Sequence, residues 1–160
     1  MSRQKALITS FIALISLGQP LLIGSTAVIM SASAAVMLSA KSAYAQSAKA
    51  YVDQGVEKGK RGDFQGAIAD FNKAIEIDPK YLRAYCNLGL AKARGLGDFE
   101  GAISHYDKCI EIDPESARAY VKRGEARKIV GDLQGACADW KEASSLGDNA
   151  AAGLVRDQCQ

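Results

Sequence analysis

Gly62-Asp63-Phe64-Gln65-Gly66-Ala67-Ile68 returns as Gly97-Asp98-Phe99-Glu100-Gly101-Ala102-Ile103, and again as Gly131-Asp132-Leu133-Gln134-Gly135-Ala136-Cys137. Ala67, Ala102 and Ala136 stand 35 and 34 residues apart, so the chain is periodic at that length. Downstream, Ala74-Ile75-Glu76-Ile77-Asp78-Pro79 matches Cys109-Ile110-Glu111-Ile112-Asp113-Pro114. Upstream, Tyr51, Tyr85 and Tyr120 open matched segments, each followed four residues later by Gly55, Gly89 or Gly124.

Within a unit the apolar residues fall at helical spacing. Ala67, Phe71, Ala74 and Ile75 form one stripe of a helix. Gly62, Gly97 and Gly131 suit the left-handed residue that ends a preceding helix. The Asp that follows each can accept a backbone N–H and open the next helix. Asp78-Pro79 and Asp113-Pro114 close that second helix, because the residue before Pro is driven out of the helical region. Each unit is therefore a helix–turn–helix. Gly66, Gly101 and Gly135 lie near the start of second helices, where Gly costs about 1 kcal/mol against Ala, and close helix packing is the plain expectation.

The pattern resembles the tetratricopeptide repeat family. Its run of aromatic, Leu-Gly, Ala, aromatic and Pro reads here as Tyr85, Leu88-Gly89, Ala102, Tyr106 and Pro114. The first repeat offers Tyr51, Gly55, Ala67, Phe71 and Pro79, and the third Tyr120, Gly124, Ala136 and Trp140. The departures are Gln54 and Arg123 in the Leu column, Asp148 where Pro is expected, and one extra residue at Gly95-Leu96-Gly97, which should loosen that turn. The resemblance implies an all-α fold, a short right-handed α-solenoid. Its repeats span 48–81, 82–116 and 117–150, and a capping helix spans 151–160. A helix pair cannot bury its apolar face alone, so three stacked units with a cap are a minimal array.

The resemblance also implies a use. First helices of such arrays line a concave groove that grips a peptide or a helix of another protein. By column, the groove residues here are Lys49, Val52, Val56, Arg83, Cys86, Asn87, Leu90, Arg118, Val121, Lys122 and Glu125. Some family members hold a peptide's terminal carboxylate with Lys, Asn and Arg; Asn87, Arg118 and Lys122 fall on matching columns. Val52 and Val56 replace the polar residues that such a clamp needs in the first repeat, so an incomplete clamp is expected.

The N-terminal part is of another kind. Ala6–Ala40 carries no charge, Arg3 and Lys5 precede it, and Ala43-Tyr44-Ala45 follows, the pattern of a secretory signal peptide spanning 1–45 and cut after Ala45. Leu21–Ala40 is also long enough to cross a bilayer, so an uncleaved membrane anchor is the alternative. Either places the repeats outside the cytoplasm, in a periplasm, a lumen of an internal membrane compartment or the extracellular space. The whole chain of 160 residues has a net charge of +2. Removing Arg3, Lys5 and Lys41 leaves 17 basic against 18 acidic side chains, a net charge of −1, which argues against nucleic acid as a partner. A membrane is a partner only if the N-terminal segment stays.

Little in the sequence could carry catalysis. His105, the lone histidine, shares a column with Asp70 and Asp139, polar in all three repeats and therefore read as facing solvent. Glu76 and Glu111 likewise repeat as a solvated face. No phosphate loop and no Cys-x-x-Cys occur, so neither a cofactor nor a metal is expected, and the chain does not read as an enzyme. Cys86, Cys109, Cys137 and Cys159 have two readings. Cys109 takes the place of Ala74 and Ala143, which favours a small buried side chain. Antiparallel helices would equally bring Cys159 toward Cys137 and Cys86 toward Cys109, as disulfides in an exported protein.

Overall fold

A computed structural model of the protein describes residues 47–159, which fall within one compact unit. The expected signal peptide or anchor, 1–45, lies outside the described residues. The described chain is helical throughout. Helix α1 covers 47–60, α2 Phe64–Ile77, α3 Leu82–Ala91, α4 Phe99–Ile112, α5 Ala117–Ile129, α6 Leu133–Ser145 and α7 Asn149–Gln158. From α2 onward each helix packs on the next, giving three helix pairs and a terminal helix stacked as a solenoid.

The repeated Gly-Asp is a two-sided cap. Gly62, Gly97 and Gly131 have φ of 84°, 66° and 92°, the left-handed region that a side chain would strain. In the first repeat Asp63 N–H donates to the Lys58 carbonyl and Gly62 N–H to that of Gly59. Asp132 and Gly131 repeat this on Arg127 and Lys128, so the carbonyls left over at the helix end are taken up. The same aspartates then cap the following helix, their carboxylates accepting from the N–H of Gly66, Gly101 and Gly135 at 2.8–2.9 Å. A Cβ on any of these three glycines would stand 2.1–2.2 Å from the capping carboxylate. The nearest atoms to each of these positions belong to the capping aspartate and not to a neighbouring helix, so the cap accounts for the glycines.

The extra residue of the second repeat does not open its turn. It is wound into a π-helical turn, Lys92–Leu96, and Asp98 N–H still reaches the Lys92 carbonyl. Lys58, Lys92 and Arg127 thus anchor the three turns from one column, with one more residue looped between anchors in the second.

A single aromatic fills each repeat. A Cβ at Gly55, Gly89 or Gly124 on the first helix would lie 2.6–2.8 Å from Phe71, Tyr106 or Trp140 on the second. The remaining contacts are small: Ala67, Ala74, Ala84, Ala102, Ala136 and Ala143 are fully buried. Such a core brings backbones close and leaves little apolar area per residue, so covalent ties count for more. Cys86 and Cys109 are joined across α3 and α4 with Cα atoms 5.5 Å apart, and Cys137 and Cys159 across α6 and α7 at 5.7 Å.

The end of the third repeat differs from the expected boundary. In place of Asp-Pro, Gly147 turns left-handed with φ of 94°, and Asp148 caps α7 by accepting from Ala151 N–H at 2.9 Å. The terminal helix therefore starts at Asn149 and not at 151.

Candidate functional site: a concave groove

The first helices of the three pairs, α1, α3 and α5, turn one face to a groove with three contiguous hollows. The largest, about 370 Å³, is lined by Val56, Leu82, Arg83, Cys86, Asn87, Leu90, Tyr106, Ser116, Arg118, Ala119 and Lys122. A second of about 180 Å³ continues it between α1 and α3, past Gly55, Gly59 and Lys60 to Arg94. A third of about 300 Å³ continues it between α3 and α5, past Ala93, Phe99, Glu125 and Ala126 to Ile129. Leu90 borders all three and joins them into one trough.

Of the residues expected in a groove, Val56, Arg83, Cys86, Asn87, Leu90, Arg118 and Lys122 come together at the first hollow, and Glu125 lies at the third. Val52 does not belong with them. It is fully buried beside Ala48, Ala67, Phe71 and Ala74, because α1 turns that side onto α2. Lys49 is exposed and lines none of these hollows, its ammonium paired with Asp53; Val121 is half-buried and lines none either. Of the four cysteines, Cys86 is on the groove wall, Cys109 is buried behind it, and Cys137 and Cys159 tie down the terminal helix.

The column of Asp70, His105 and Asp139 corrects the expectation of a solvent-facing position. Asp70 and Asp139 are each 2% exposed. They meet cations of the first helix: Lys58 Nζ is 2.7 Å from Asp70, and Arg127 Nη1 is 2.9 Å from Asp139. Asp139 also accepts two bonds from Arg123, at 2.6 and 2.9 Å. Arg123, the Leu-column departure, reaches Asp107 of the preceding repeat at 2.6 Å as well, so it braces repeat two against repeat three. In the middle repeat the pair is lost. Lys92 turns to Asp98 at 2.9 Å, and His105 is held below its ordinary pKa by burial and by Lys92, with Asp98 opposing.

Most groove charges are already answered within the chain. Asp53 takes Lys49 and lies 3.5 Å from Arg83; the Lys49 hydrogen bond, with the charges of Lys49 and Arg83, holds the Asp53 carboxyl below its usual range. Lys60 meets Glu57, and Lys122 meets Glu125, both at 2.7 Å. Tyr106, 2% exposed, forms a floor shared by the first and third hollows. Burial and the nearby Glu125 push its phenol up to about 12, against the opposing pull of Arg94 and Arg118, so it stays an O–H donor. Tyr106, Arg94, Ser116 and Phe99 were not expected here. Only the extra residue beside Arg94 marked that place in the sequence.

Among the described residues no group of three or more His, Cys, Asp or Glu side chains is gathered to hold a metal. No helix of the described residues is long and apolar enough to cross a membrane.

Comparison with known proteins agrees with this architecture. A family model for the TPR repeat matches residues 60–95 and 94–128. The first repeat domain of Spaghetti (RPAP3), solved with the HSP90 peptide SRMEEVD, superposes with a TM-score of 0.68 at 26% identity, covering 72% of this chain and 93% of that one. The N-terminal domain of stress-induced protein-1 from C. elegans gives 0.68 at 25% identity, covering 74% and 98%. An uncharacterized protein of Methanocaldococcus jannaschii is 49% identical over 41 residues, 26% of this chain. The chain spans about half, 48%, of that curated relative. The described chain is an array of tetratricopeptide repeats, all-α and solenoidal. That makes it a protein–protein interaction module.

Proposed function

We propose that the protein is an exported adaptor or assembly factor that holds a segment of a partner protein in the groove of α1, α3 and α5. The observation that carries this is the trough itself. It is apolar along Val56 and Leu90, rimmed by Asn87, Arg118 and Lys122, and open over the length of two repeats. A peptide-bound structure of the similar RPAP3 domain supports a peptide as the occupant. Export is supported by the uncharged stretch from Ala6 to Ala40 behind Arg3 and Lys5, and by the pairing of all four cysteines, which an oxidising compartment preserves.

A second reading, a membrane-tethered scaffold, rests on the length of Leu21–Ala40. N-terminal sequencing of the protein purified from its host chooses between them: Gln46 at the start means export and release, and Met1 or Ser2 means a tether.

The binding role is tested by capture from the host's envelope extract, with the protein as its host processes it, and with the Leu90→Glu variant as a matched bait. A partner held by the parent and lost by the variant, at equal helicity and melting temperature, supports the groove. A partner held equally by both moves the binding surface off the groove.

A further inference from the structure

Resting on the groove reading above, we infer that the partner segment is an internal stretch of chain with two acidic side chains about five or six residues apart, flanking apolar residues. Arg118 and Arg94 receive the two carboxylates.

The selection of these two arginines comes from the pairing of everything else. Five cations line the three hollows: Lys60, Arg83, Arg94, Arg118 and Lys122. Glu57, Asp53 and Glu125 answer Lys60, Arg83 and Lys122. Arg94 and Arg118 have no acidic partner among the described residues, and both are exposed. They stand at opposite ends of the trough, Arg118 in the first turn of α5 and Arg94 in the π-helical turn that follows α3. Tyr106 lies between them as a floor, a phenol that both arginines influence and that remains protonated. A guanidinium facing a carboxylate, with an O–H donor beneath, is a suitable site for an Asp or Glu side chain.

The spacing follows from helix geometry. Arg118 shares a column with Arg83, and eleven residues of helix separate Arg83 from Arg94, about 16 Å at 1.5 Å per residue. Arg118 is one helix further across, about 9 Å. The diagonal is about 19 Å, or five to six residues of extended chain at about 3.3 Å each. Leu90 and Ala93 border that span and take the apolar residues between.

An internal segment is indicated because the grip on a chain terminus is incomplete. Asp53, an acid, holds the column of Asn87 and Lys122 on α1, while Val52 is buried and Val56 is apolar, so α1 presents neither a cation nor an amide there. A terminal carboxylate would meet polar groups from two helices only.

The experiment is a peptide series titrated by calorimetry against the protein as its host processes it. Twelve-residue peptides, acetylated and amidated, carry two Glu separated by two to eight positions with Leu between, in a Gly-Ser background. Affinity is expected to peak at a separation of five or six. It should weaken about five-fold in Arg94→Gln and again in Arg118→Gln, and fall as salt is raised, as exposed charge pairs do. Replacing one Glu by Lys should be rescued by Arg94→Glu. Both arginines are exposed, so unchanged melting temperatures are expected and are checked. A flat dependence on spacing, or affinity indifferent to Arg94→Gln, overturns the inference. So does a free C-terminal carboxylate proving necessary for binding. If the partner captured above is released by Leu90→Glu but not by the double arginine variant, the inference fails and the groove reading stands; release by neither removes both.

Discussion

The two disulfides close loops of nearly equal size, with sequence separations of 23 and 22, and a chain-entropy argument would treat them alike. Closing such a loop removes about 11 cal/mol/K from the unfolded chain, about 3.4 kcal/mol at 25 °C. For the 113 residues of 47–159 that corresponds to about 14 °C in melting temperature. The structure breaks the symmetry. Cys86–Cys109 lies in the middle of the array, and both helices it joins are packed on either side. Cys109→Ala restores the alanine that Ala74 and Ala143 hold in that column, so Cys86→Ala/Cys109→Ala should lose the loop term and little else. Cys137–Cys159 instead fastens α7, whose one fully buried residue is Ala151. Without that bond the helix can detach while the repeats remain folded, and the loss is local. Urea melts should therefore show the full decrease for the Cys86/Cys109 variant and about 1 kcal/mol for Cys137→Ala/Cys159→Ala. Hydrogen exchange should show amides of 149–158 exposed in the second variant alone, with α5 and α6 protected. Unchanged protection of α7 in that variant, or equal losses in global stability, would refute the reasoning.

Two further outcomes follow from the Asp70, His105 and Asp139 column. Asp139→Ala strands Arg123 and Arg127 at partly buried positions and should cost about 3 kcal/mol in urea denaturation, while Arg123→Leu, which leaves Arg127 on Asp139, should cost under about 1 kcal/mol. His105 carries a folded pKa below its ordinary 6.5, so the unfolded chain takes the proton first. Stability should be full above about pH 6.5 and decline as pH falls from there toward the lowered folded value. His105→Gln should flatten that decline between pH 7.5 and 5.5, and an equal slope in both proteins would remove His105 as its cause.

The repeat and its caps were legible because each recurs at one period, and recurrence separates a structural requirement from chance; the glycine and aromatic columns recur as well, but their contact emerges only in the fold. Gly62, Asp63 and Phe71 could be assigned roles from sequence because their columns hold the same chemistry three times. What escaped the reading depends on direction, which a column does not encode. A polar column implies a solvent-facing side, yet Asp70 and Asp139 point inward to cations that stand twelve residues earlier on the facing helix. Both partners repeat, Lys58 with Asp70 and Arg127 with Asp139, so the pairing was present as a correlated pair of columns. Reading columns singly concealed it. Val52 escapes for a related reason, since its column with Cys86 and Val121 does not say that α1 turns this side to the core of Ala48, Ala67 and Phe71 and away from the groove.

The groove shows why charge could be counted from sequence but not assigned. Lys49, Arg83 and Arg118 form one basic column, and in the sequence they are equivalent. In the fold, Asp53 takes the first two and leaves the third, because Asp53 has no counterpart in the later repeats: Asn87 and Lys122 occupy its neighbourhood on α3 and α5. The same substitution therefore neutralises one end of the trough and charges the other. Arg94 is left for a different reason: Lys60, its counterpart in the first repeat, meets Glu57 three residues earlier, whereas Ala91 stands at that place before Arg94, and it is Lys92 that meets the capping Asp98. On the proposed reading, recognition depends on where the repeats fail to match: the recurring columns build the trough, and the departures leave Arg94 and Arg118 without an acidic partner among the described residues.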